Sequence, residues 1–138
     1  MRKLPHQQSG SLGEALALAR IGSLGMPAYA SPEGAPGHDL IVIVDGDPKS
    51  IEVKTRQYFE RPTEISRWPV DLITKGDADF FLFVELNPQD LSPTFYLLNN
   101  EQARTTHRDY QGGGNCIPSR VRAAVAPNDF SALKPSER

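Results

Sequence analysis

Two short, unbroken runs of large apolar residues constrain the fold of this chain more than any other feature. Residues 40–44 read Leu-Ile-Val-Ile-Val, and residues 80–84 read Phe-Phe-Leu-Phe-Val. Runs of this length, rich in β-branched and aromatic side chains, are typical of strands that are covered on both faces. We therefore expect two buried strands, over residues 38–44 and 79–86, in a central sheet.

A turn and a second strand follow the first run directly. Residues 45–49 read Asp-Gly-Asp-Pro-Lys, a composition that favours a tight turn. In residues 51–55, Ile-Glu-Val-Lys-Thr, apolar and polar side chains alternate, as expected for a strand with one buried face. The two strands on either side of this turn are predicted to form an antiparallel hairpin.

The remaining patterns predict helices and one further strand around this hairpin. Apolar residues at three- and four-residue spacing indicate a helix over residues 11–21, and a Gly- and Pro-rich loop follows over residues 23–37. Another helix is expected over residues 63–75, with Thr63 as its N-cap and Ile65, Trp68, Leu72 and Ile73 facing inwards. Because Pro69 lies inside this stretch, the helix should be short or begin late. A strand over residues 94–98 should pair with the buried strand 79–86, a helix is expected over residues 101–108, and Asn128-Asp129 could cap a short terminal helix. This order of elements predicts an α/β fold with a central sheet.

Composition places the chain among ordinary globular proteins. Its 138 residues correspond to one domain, and hydrophobic and charged fractions of 38% and 23% favour neither disorder nor a membrane protein. Glu14 and Arg20 interrupt the apolar stretch near the N-terminus, which argues against a secretory signal, and the lone Cys116 fits a reducing compartment. We therefore expect a single domain over residues 1–138, located in the cytoplasm and without a membrane partner.

The predicted hairpin brings three chemically active side chains onto one patch. Glu52 and Lys54 share a face of their strand because side chains alternate with a period of two residues. With the turn centred between residues 45 and 47, Asp39 lies across from a residue between Glu52 and Lys54, where Cβ atoms are about 4.5–5.5 Å apart. Two carboxylates and a lysine there would bind a hard cation such as Mg²⁺ and leave room for water and a phosphate group. That arrangement suits phosphodiester hydrolysis.

These residues also have a purely structural interpretation. Glu52 and Lys54 could face solvent on an edge strand, and Asp39 could simply begin its own strand. The position of the motif across a hairpin, next to a strand that looks buried, favours the active-site interpretation. Glu14 has a structural alternative of its own, because Ser11 and Glu14 together form the sequence of a capping box at a helix start.

With these residues identified, the sequence resembles the PD-(D/E)XK nucleases, which include restriction endonucleases and archaeal Holliday junction resolvases. The resemblance rests on Gly-His-Asp-Leu-Ile-Val at residues 37–42 and Ile-Glu-Val-Lys-Thr-Arg at residues 51–56. Gly13 and Glu14 in the preceding helix and Ala78-Asp79-Phe80 at the next strand also fit. The match covers about residues 9–98 and is loose over residues 99–138, and His38 stands where the family usually carries proline. The sequence is especially similar to small bacterial domains of this family. The resemblance implies a restriction-endonuclease-like central mixed sheet flanked by helices.

The resemblance also implies a role for each residue of the motif. Asp39 and Glu52 would hold Mg²⁺ or Mn²⁺ together with the backbone carbonyl of Val53. Lys54 would orient or activate the attacking water and offset the developing negative charge, and Glu14 would complete the acidic cluster. The implied activity is that of a metal-dependent endonuclease that acts on DNA.

Four basic residues after the motif are candidates for phosphate contacts, although ordinary surface charge explains them equally well: Arg56, Arg61, Arg67 and Lys75. The net charge of −2 argues against a free-standing nucleic-acid binder, which usually needs a basic surface. A homodimer, or a partner subunit that supplies recognition, would resolve this conflict. Two alternatives stay open: an interaction or scaffold protein that has kept the fold but lost catalysis, and an RNase or toxin-type nuclease domain.

Overall fold

A five-stranded sheet with one long helix packed on it forms the centre of the structure. The structure is a computed structural model, and it describes residues 3–32, 39–72, 76–109 and 113–133. The helices are α1 (His6–Ser23), α2 (Asn100–Thr106) and α3 (Pro118–Ala124). The strands are β1 (Ala28–Ala30), β2 (Leu40–Val44), β3 (Asp47–Gln57), β4 (Trp68–Pro69), β5 (Phe80–Leu86), β6 (Pro93–Asn99), β7 (His107–Arg108) and β8 (Asn115–Cys116). Single 3-10 turns lie at Pro62–Glu64 and Ser131–Leu133.

The main sheet is mixed, with the strand order β1-β2-β3-β5-β6. β2 runs antiparallel to β1 and β3, β3 runs parallel to β5, and β5 runs antiparallel to β6. A second, three-stranded sheet has the order β4-β8-β7. The predicted α/β fold with a central mixed sheet flanked by helices is therefore confirmed. In the part of the chain that the structure describes, no helix is long and apolar enough to cross a membrane.

Two hydrophobic clusters cover the two faces of the main sheet. Side chains alternate along β5, so that Leu82 and Val84 enter one cluster while Phe81 and Phe83 enter the other. α1 closes the first cluster, and the segments around β4, β8, α2 and α3 close the second. The run at residues 80–84 is therefore buried on both faces, as its composition predicts.

The hairpin of β2 and β3 forms as predicted, around a two-residue turn. Asp45 has a φ of 54° and Gly46 has a φ of 85°, and two positive φ values at these positions match the tight turn that suits the twist of a hairpin. The register pairs Leu40 with Ile51. β3 extends beyond the predicted residues 51–55 at both ends. Residues 47–50, of which 47–49 were expected in the turn, pair with β2, and residues 56–57 pair with β5.

The predicted helix over residues 63–75 is wrong. Thr63 lies inside a 3-10 turn, and the chain then extends so that Trp68 and Pro69 pair with β8. Pro69 cannot donate a helical hydrogen bond, and the Glu64 carboxylate accepts the backbone N–H groups of residues 59, 60 and 61. Residues 73–75 lie outside the described part. Of the apolar residues expected to face inwards, the three that the structure describes are nevertheless buried: Ile65, Trp68 and Leu72.

Element ends in the first half of the chain also differ from the prediction. α1 begins at residue 6 rather than 11, and β1 lies within the predicted loop 23–37. Residues 33–37 of that loop, and residue 38 at the predicted start of β2, lie outside the described part. β2 is buried on one face only. Leu40 and Val42 are buried, whereas Ile41 and Ile43 are partly exposed because the second cluster does not extend to β2.

The last third of the chain contains elements that local patterns did not indicate. Residues 107 and 108, expected at the end of a helix, form β7 instead. α3 is joined to β5 by the ion pair of Arg122 with the buried Glu85, with 2.5 Å between Nη2 and Oε2. Close to the end, Asp129 accepts the N–H of Ser131, which begins a single 3-10 turn, while the side chain of Asn128 accepts the N–H of Phe95 in β6. The contacts of Arg122 with Glu85 and of Asn128 with Phe95 are long-range, and no local sequence pattern indicates them.

α1 approaches β3 closely because Gly13 faces the strand. A Cβ atom added to Gly13 would overlap the hydroxyl oxygen of Thr55 and would lie 2.9 Å from the Thr55 Cβ atom. That hydroxyl oxygen is buried and has no hydrogen-bond partner in the described part of the structure. The next residue on α1 is Glu14, so the Gly13–Thr55 contact sets how near this carboxylate comes to the hairpin.

Replacing Gly13 by alanine should therefore destabilise the protein, by about 1–3 kcal/mol, because the added methyl group overpacks the contact with Thr55. Gly10 provides a matched control on the same helix, since a Cβ atom there would meet nothing within 4 Å. Gly10→Ala should stabilise the protein by up to about 1 kcal/mol through helix propensity alone. Urea unfolding measures both free energies. Equal gains in the two variants would contradict the close approach.

Candidate active site

Asp39 lies where β2 separates from β3, and its side chain takes the place of a missing strand partner. Its backbone N–H donates to the carbonyl of Ile51 at 2.9 Å, although the register pairs Ile51 with Leu40. Two successive residues thus face one, as in a β-bulge, a feature that redirects side chains. The Oδ2 atom of Asp39 accepts the N–H of Val53 at 2.7 Å. The carboxylate keeps acceptor capacity at its other oxygen.

Glu52 and Lys54 project from the face of β3 opposite α1. Ile51 and Val53 are buried in the cluster beneath α1, so the alternation of the strand directs Glu52 and Lys54 to the other side. Both side chains are half-buried. Neither makes an ion pair or a side-chain hydrogen bond with a residue that the structure describes. Their charged groups are therefore available to a ligand.

Glu14 lies on α1, which covers the other face of β3, and interacts electrostatically with Asp39 and Lys54. Because the helix begins at His6, Ser11 lies inside it, and the capping-box alternative for Glu14 is wrong. Burial is the largest cause that raises the pKa of Glu14, the charge of Asp39 raises this pKa further, and the charge of Lys54 lowers it. Glu14 is thus within electrostatic range of both residues, although the three come from different elements.

The Glu52 carboxyl lies in a negative environment. Burial is the largest cause that raises its pKa, Lys54 lowers this pKa, and Asp39, Asp77 and Asp71 raise it. No sequence pattern indicated Asp71 or Asp77, because a helix was expected over the first of them and nothing related either to the hairpin. Tertiary structure brings both residues within electrostatic range of Glu52. The accumulated negative charge is of the kind that a bound cation offsets.

The donor set fits a magnesium ion that keeps part of its own water. Within the described ranges, no group of three or more His, Cys, Asp or Glu side chains is arranged to enclose a metal ion. Mg²⁺ does not need such an enclosure, because it is usually bound through one or two carboxylates together with water and phosphate oxygens. Asp39 and Glu52 would supply the two carboxylates. The Val53 carbonyl faces the Asp39 side of β3, since the N–H and C=O of one strand residue point to the same neighbouring strand.

The predicted phosphate-binding residues do not form one group. Arg56 follows Lys54 on the same face of β3 and is half-buried. Arg61 directly precedes the 3-10 turn at Pro62–Glu64, Arg67 directly precedes β4, and both are exposed. Lys75 lies outside the described residues. Of the three arginines, Arg56 is the one on the strand that carries the candidate site.

The arrangement of strands and helices resembles that of a solved nuclease. The structure matches that of a bacterial homing endonuclease, I-Ssp6803I, with a TM-score of 0.54 over 72% of this chain and 68% of that chain. This chain shares a nuclease fold. The sequence identity is 16%, so the likeness concerns the fold and not individual residues. No protein family matches the sequence, and no curated protein matches it.

The candidate site partly buries the Glu52 carboxylate, which should lower the stability of the folded protein when no metal is bound. Because the pKa of Glu52 is raised in the folded protein, the folded state retains a proton over a pH range in which the unfolded chain has lost it. Ionised Glu52 is therefore destabilising at neutral pH, and its cost falls as pH decreases through the raised pKa. Glu52→Gln should raise the melting temperature of EDTA-treated protein at pH 7, and the difference should shrink on acidification.

Glu60, an exposed residue close to the end of β3, provides the control. Glu60→Gln should leave the melting temperature nearly unchanged over the same pH range, because surface substitutions usually change stability by less than about 0.5 kcal/mol. A Glu52→Gln protein that melts at a lower temperature than the wild type at pH 7 would show that the carboxylate stabilises the fold and is not an isolated charge.

Proposed function

We propose that this protein is a metal-dependent endonuclease of the PD-(D/E)XK type that hydrolyses phosphodiester bonds in DNA. The observation that carries the proposal is the arrangement of Asp39, Glu52 and Lys54 where β2 leaves β3, with Glu14 in electrostatic range. Glu52 and Lys54 lack partners in the described part of the chain, as expected of groups that serve a ligand. The shared fold of a homing endonuclease supports the same class of activity.

In this proposal Asp39 and Glu52 hold Mg²⁺ or Mn²⁺, with the carbonyl of Val53 as a third donor. The hydrogen bond from the Val53 N–H orients the Asp39 carboxylate before any ligand arrives. When bound, the ion would polarise a phosphate oxygen and stabilise the charge that develops on the phosphate. Glu14 completes the acidic cluster, directly or through a water molecule.

Lys54 acts on the attacking water. It lies two residues from Glu52 on the same face of β3, about 7 Å along the strand. The water oxygen forms a bond to phosphorus and loses a proton to solvent, while the bond from phosphorus to the leaving oxygen breaks and that oxygen gains a proton. Lys54 orients the water by a hydrogen bond, and its charge offsets the negative charge that accumulates in the transition state.

Recognition of DNA requires more positive charge than one chain offers, since the net charge is −2. We propose that a second copy of the chain or a partner subunit supplies the missing surface. An RNase or toxin-type nuclease would use the same site on a different substrate. The strongest rival of another class is a catalytically inactive scaffold, which is favoured by the net negative charge of the chain.

A cleavage assay with matched variants tests the proposal. Purified protein is incubated with Mg²⁺ or Mn²⁺ and single-stranded, duplex and branched DNA, with RNA in parallel. Lys54→Ala should reduce cleavage by about 100-fold or more, whereas Lys49→Ala, on the same strand but next to the turn, should not. Asp39→Asn is preferable to Asp39→Ala, because asparagine can still accept the Val53 N–H, and an unpaired N–H would cost about 1–3 kcal/mol.

Calorimetric titration with Mn²⁺ separates the outcomes. Metal binding by the wild type, lost in Asp39→Asn and Glu52→Gln, together with cleavage of DNA, is the expected result. Cleavage of RNA alone would replace DNA by RNA as the substrate. If the wild type neither binds metal nor cleaves nucleic acid, the enzyme proposal is overturned and the scaffold remains.

A further inference from the structure

A basic cleft opens at the carboxyl end of β3, beside the first turn of α1. Its volume is about 280 Å³, and the described residues that line it are Lys3, Leu4, His6, Ser9, Thr55, Arg56 and Gln57. None of these residues is acidic. In a chain with a net negative charge, a cleft lined by two cations and a histidine is an uneven distribution of charge.

Specific hydrogen bonds hold the N-terminal wall of this cleft in place. The side-chain amide of Gln57 accepts the N–H of Leu4 at 2.7 Å and donates to the carbonyl of Leu4 at 2.8 Å. The Lys3 ammonium lies over the ring of Phe59, 4.8 Å from its centroid. A cation–π contact involves the charge but does not use up the N–H donors, so Lys3 can still donate to an anion.

Arg56 is the second cation of the cleft. Its guanidinium makes no hydrogen bond or ion pair with a residue that the structure describes. It is half-buried, and five N–H donors in a planar group match the oxygens of a phosphate. The register of β3 and β5 places Arg56 beside Glu85, but the Glu85 carboxylate is already paired with Arg122. Since no acidic residue is among the described residues that line the cleft, the environment of the Arg56 guanidinium favours an anion.

The start of α1 adds to this environment. No side chain caps the helix at Pro5, and no acidic residue lies in the first turn, so the N–H groups of that turn keep their partial positive charge. Ser9 does not offset it, because the Ser9 hydroxyl donates to the carbonyl of His6. The helix contributes to a site that the side chains of Lys3 and Arg56 define.

The cleft adjoins the candidate active site. Arg56 and Lys54 share a face of β3 and lie two residues apart, about 7 Å along the strand. Duplex DNA rises about 3.4 Å per nucleotide along its axis, but successive phosphates of one strand also wind around that axis and lie farther apart in space. A separation of about 7 Å therefore matches two neighbouring phosphates of one strand. A strand whose cleaved phosphate lies at Lys54 would thus present a nearby phosphate to Arg56.

We propose that this cleft binds a backbone phosphate of the DNA strand, next to the phosphate that is cleaved, through Arg56 and Lys3. The inference rests on the proposed nuclease function and adds to it a binding subsite on the same strand. This subsite positions the strand and carries no base specificity, because phosphate contacts are independent of sequence.

The affinity for duplex DNA tests the subsite. It is measured by fluorescence anisotropy of labelled DNA, with Ca²⁺ in place of Mg²⁺, at salt concentrations from about 50 to about 200 mM. Arg56→Gln and Lys3→Gln should each weaken binding about tenfold and flatten the plot of log affinity against log salt by about one unit. Arg56→Lys keeps the charge and should keep the slope. Arg20→Gln, an equal change of charge near the other end of α1, should alter neither quantity.

The outcomes separate this inference from the nuclease proposal. Equal behaviour of Arg56→Gln and Arg20→Gln, or no binding of DNA by the wild type, would overturn the subsite. If Arg56→Gln weakens binding while the wild type cleaves no nucleic acid, the cleft still binds a DNA phosphate. The nuclease proposal is then overturned, and with it the position of this phosphate relative to a cleaved one. Titration with inorganic phosphate and with RNA completes the test. An Arg56-dependent response to either of these, but not to DNA, would overturn DNA as the occupant.

Discussion

Burial of β5 on both faces is the constraint on which the rest of the structure depends. A strand with large apolar side chains on each side requires two covering layers, and the chain supplies α1 for one and the β4, β8, α2 and α3 segments for the other. β3 pairs directly with β5 and is therefore an interior strand. Its polar face, with Glu52 and Lys54, comes to lie half-buried beside that second layer, and not in open solvent as on an edge strand.

The two carboxylates of the candidate site differ in how they affect the stability of the fold. Glu52 has a raised pKa because it is partly buried among like charges, and nothing in the described part of the chain bonds to it. Asp39 differs, because its hydrogen bond to the Val53 N–H replaces a strand partner at the end of β2. One carboxylate thus supports the sheet, whereas the other has no bonding partner among the described residues, and the proposed chemistry rests on both.

α1 connects the candidate site with the basic cleft. Gly13 lets the helix approach Thr55 of β3, which brings Glu14 near Asp39, and the first turn of the same helix borders the cleft at Arg56. Ser9 and Gly13 lie four residues apart, about 6 Å along the axis. A displacement of α1 would therefore be expected to change both the acidic cluster and the proposed phosphate subsite.

The sequence by itself determined the hairpin, the buried strand β5 and the convergence of Asp39, Glu52 and Lys54, because strand periodicity and an Asp-Gly turn act over neighbouring residues. Tertiary structure alone decided that residues 63–72 form a 3-10 turn and an extended chain, where pairing with β8 and burial of Trp68 outweigh a helical pattern. It also decided the proximity of Asp71 and Asp77 to Glu52, the ion pair that fixes α3, and the cleft between the N-terminal segment and Arg56. These features depend on contacts between residues far apart in the chain, and such contacts leave no periodic signal in the sequence.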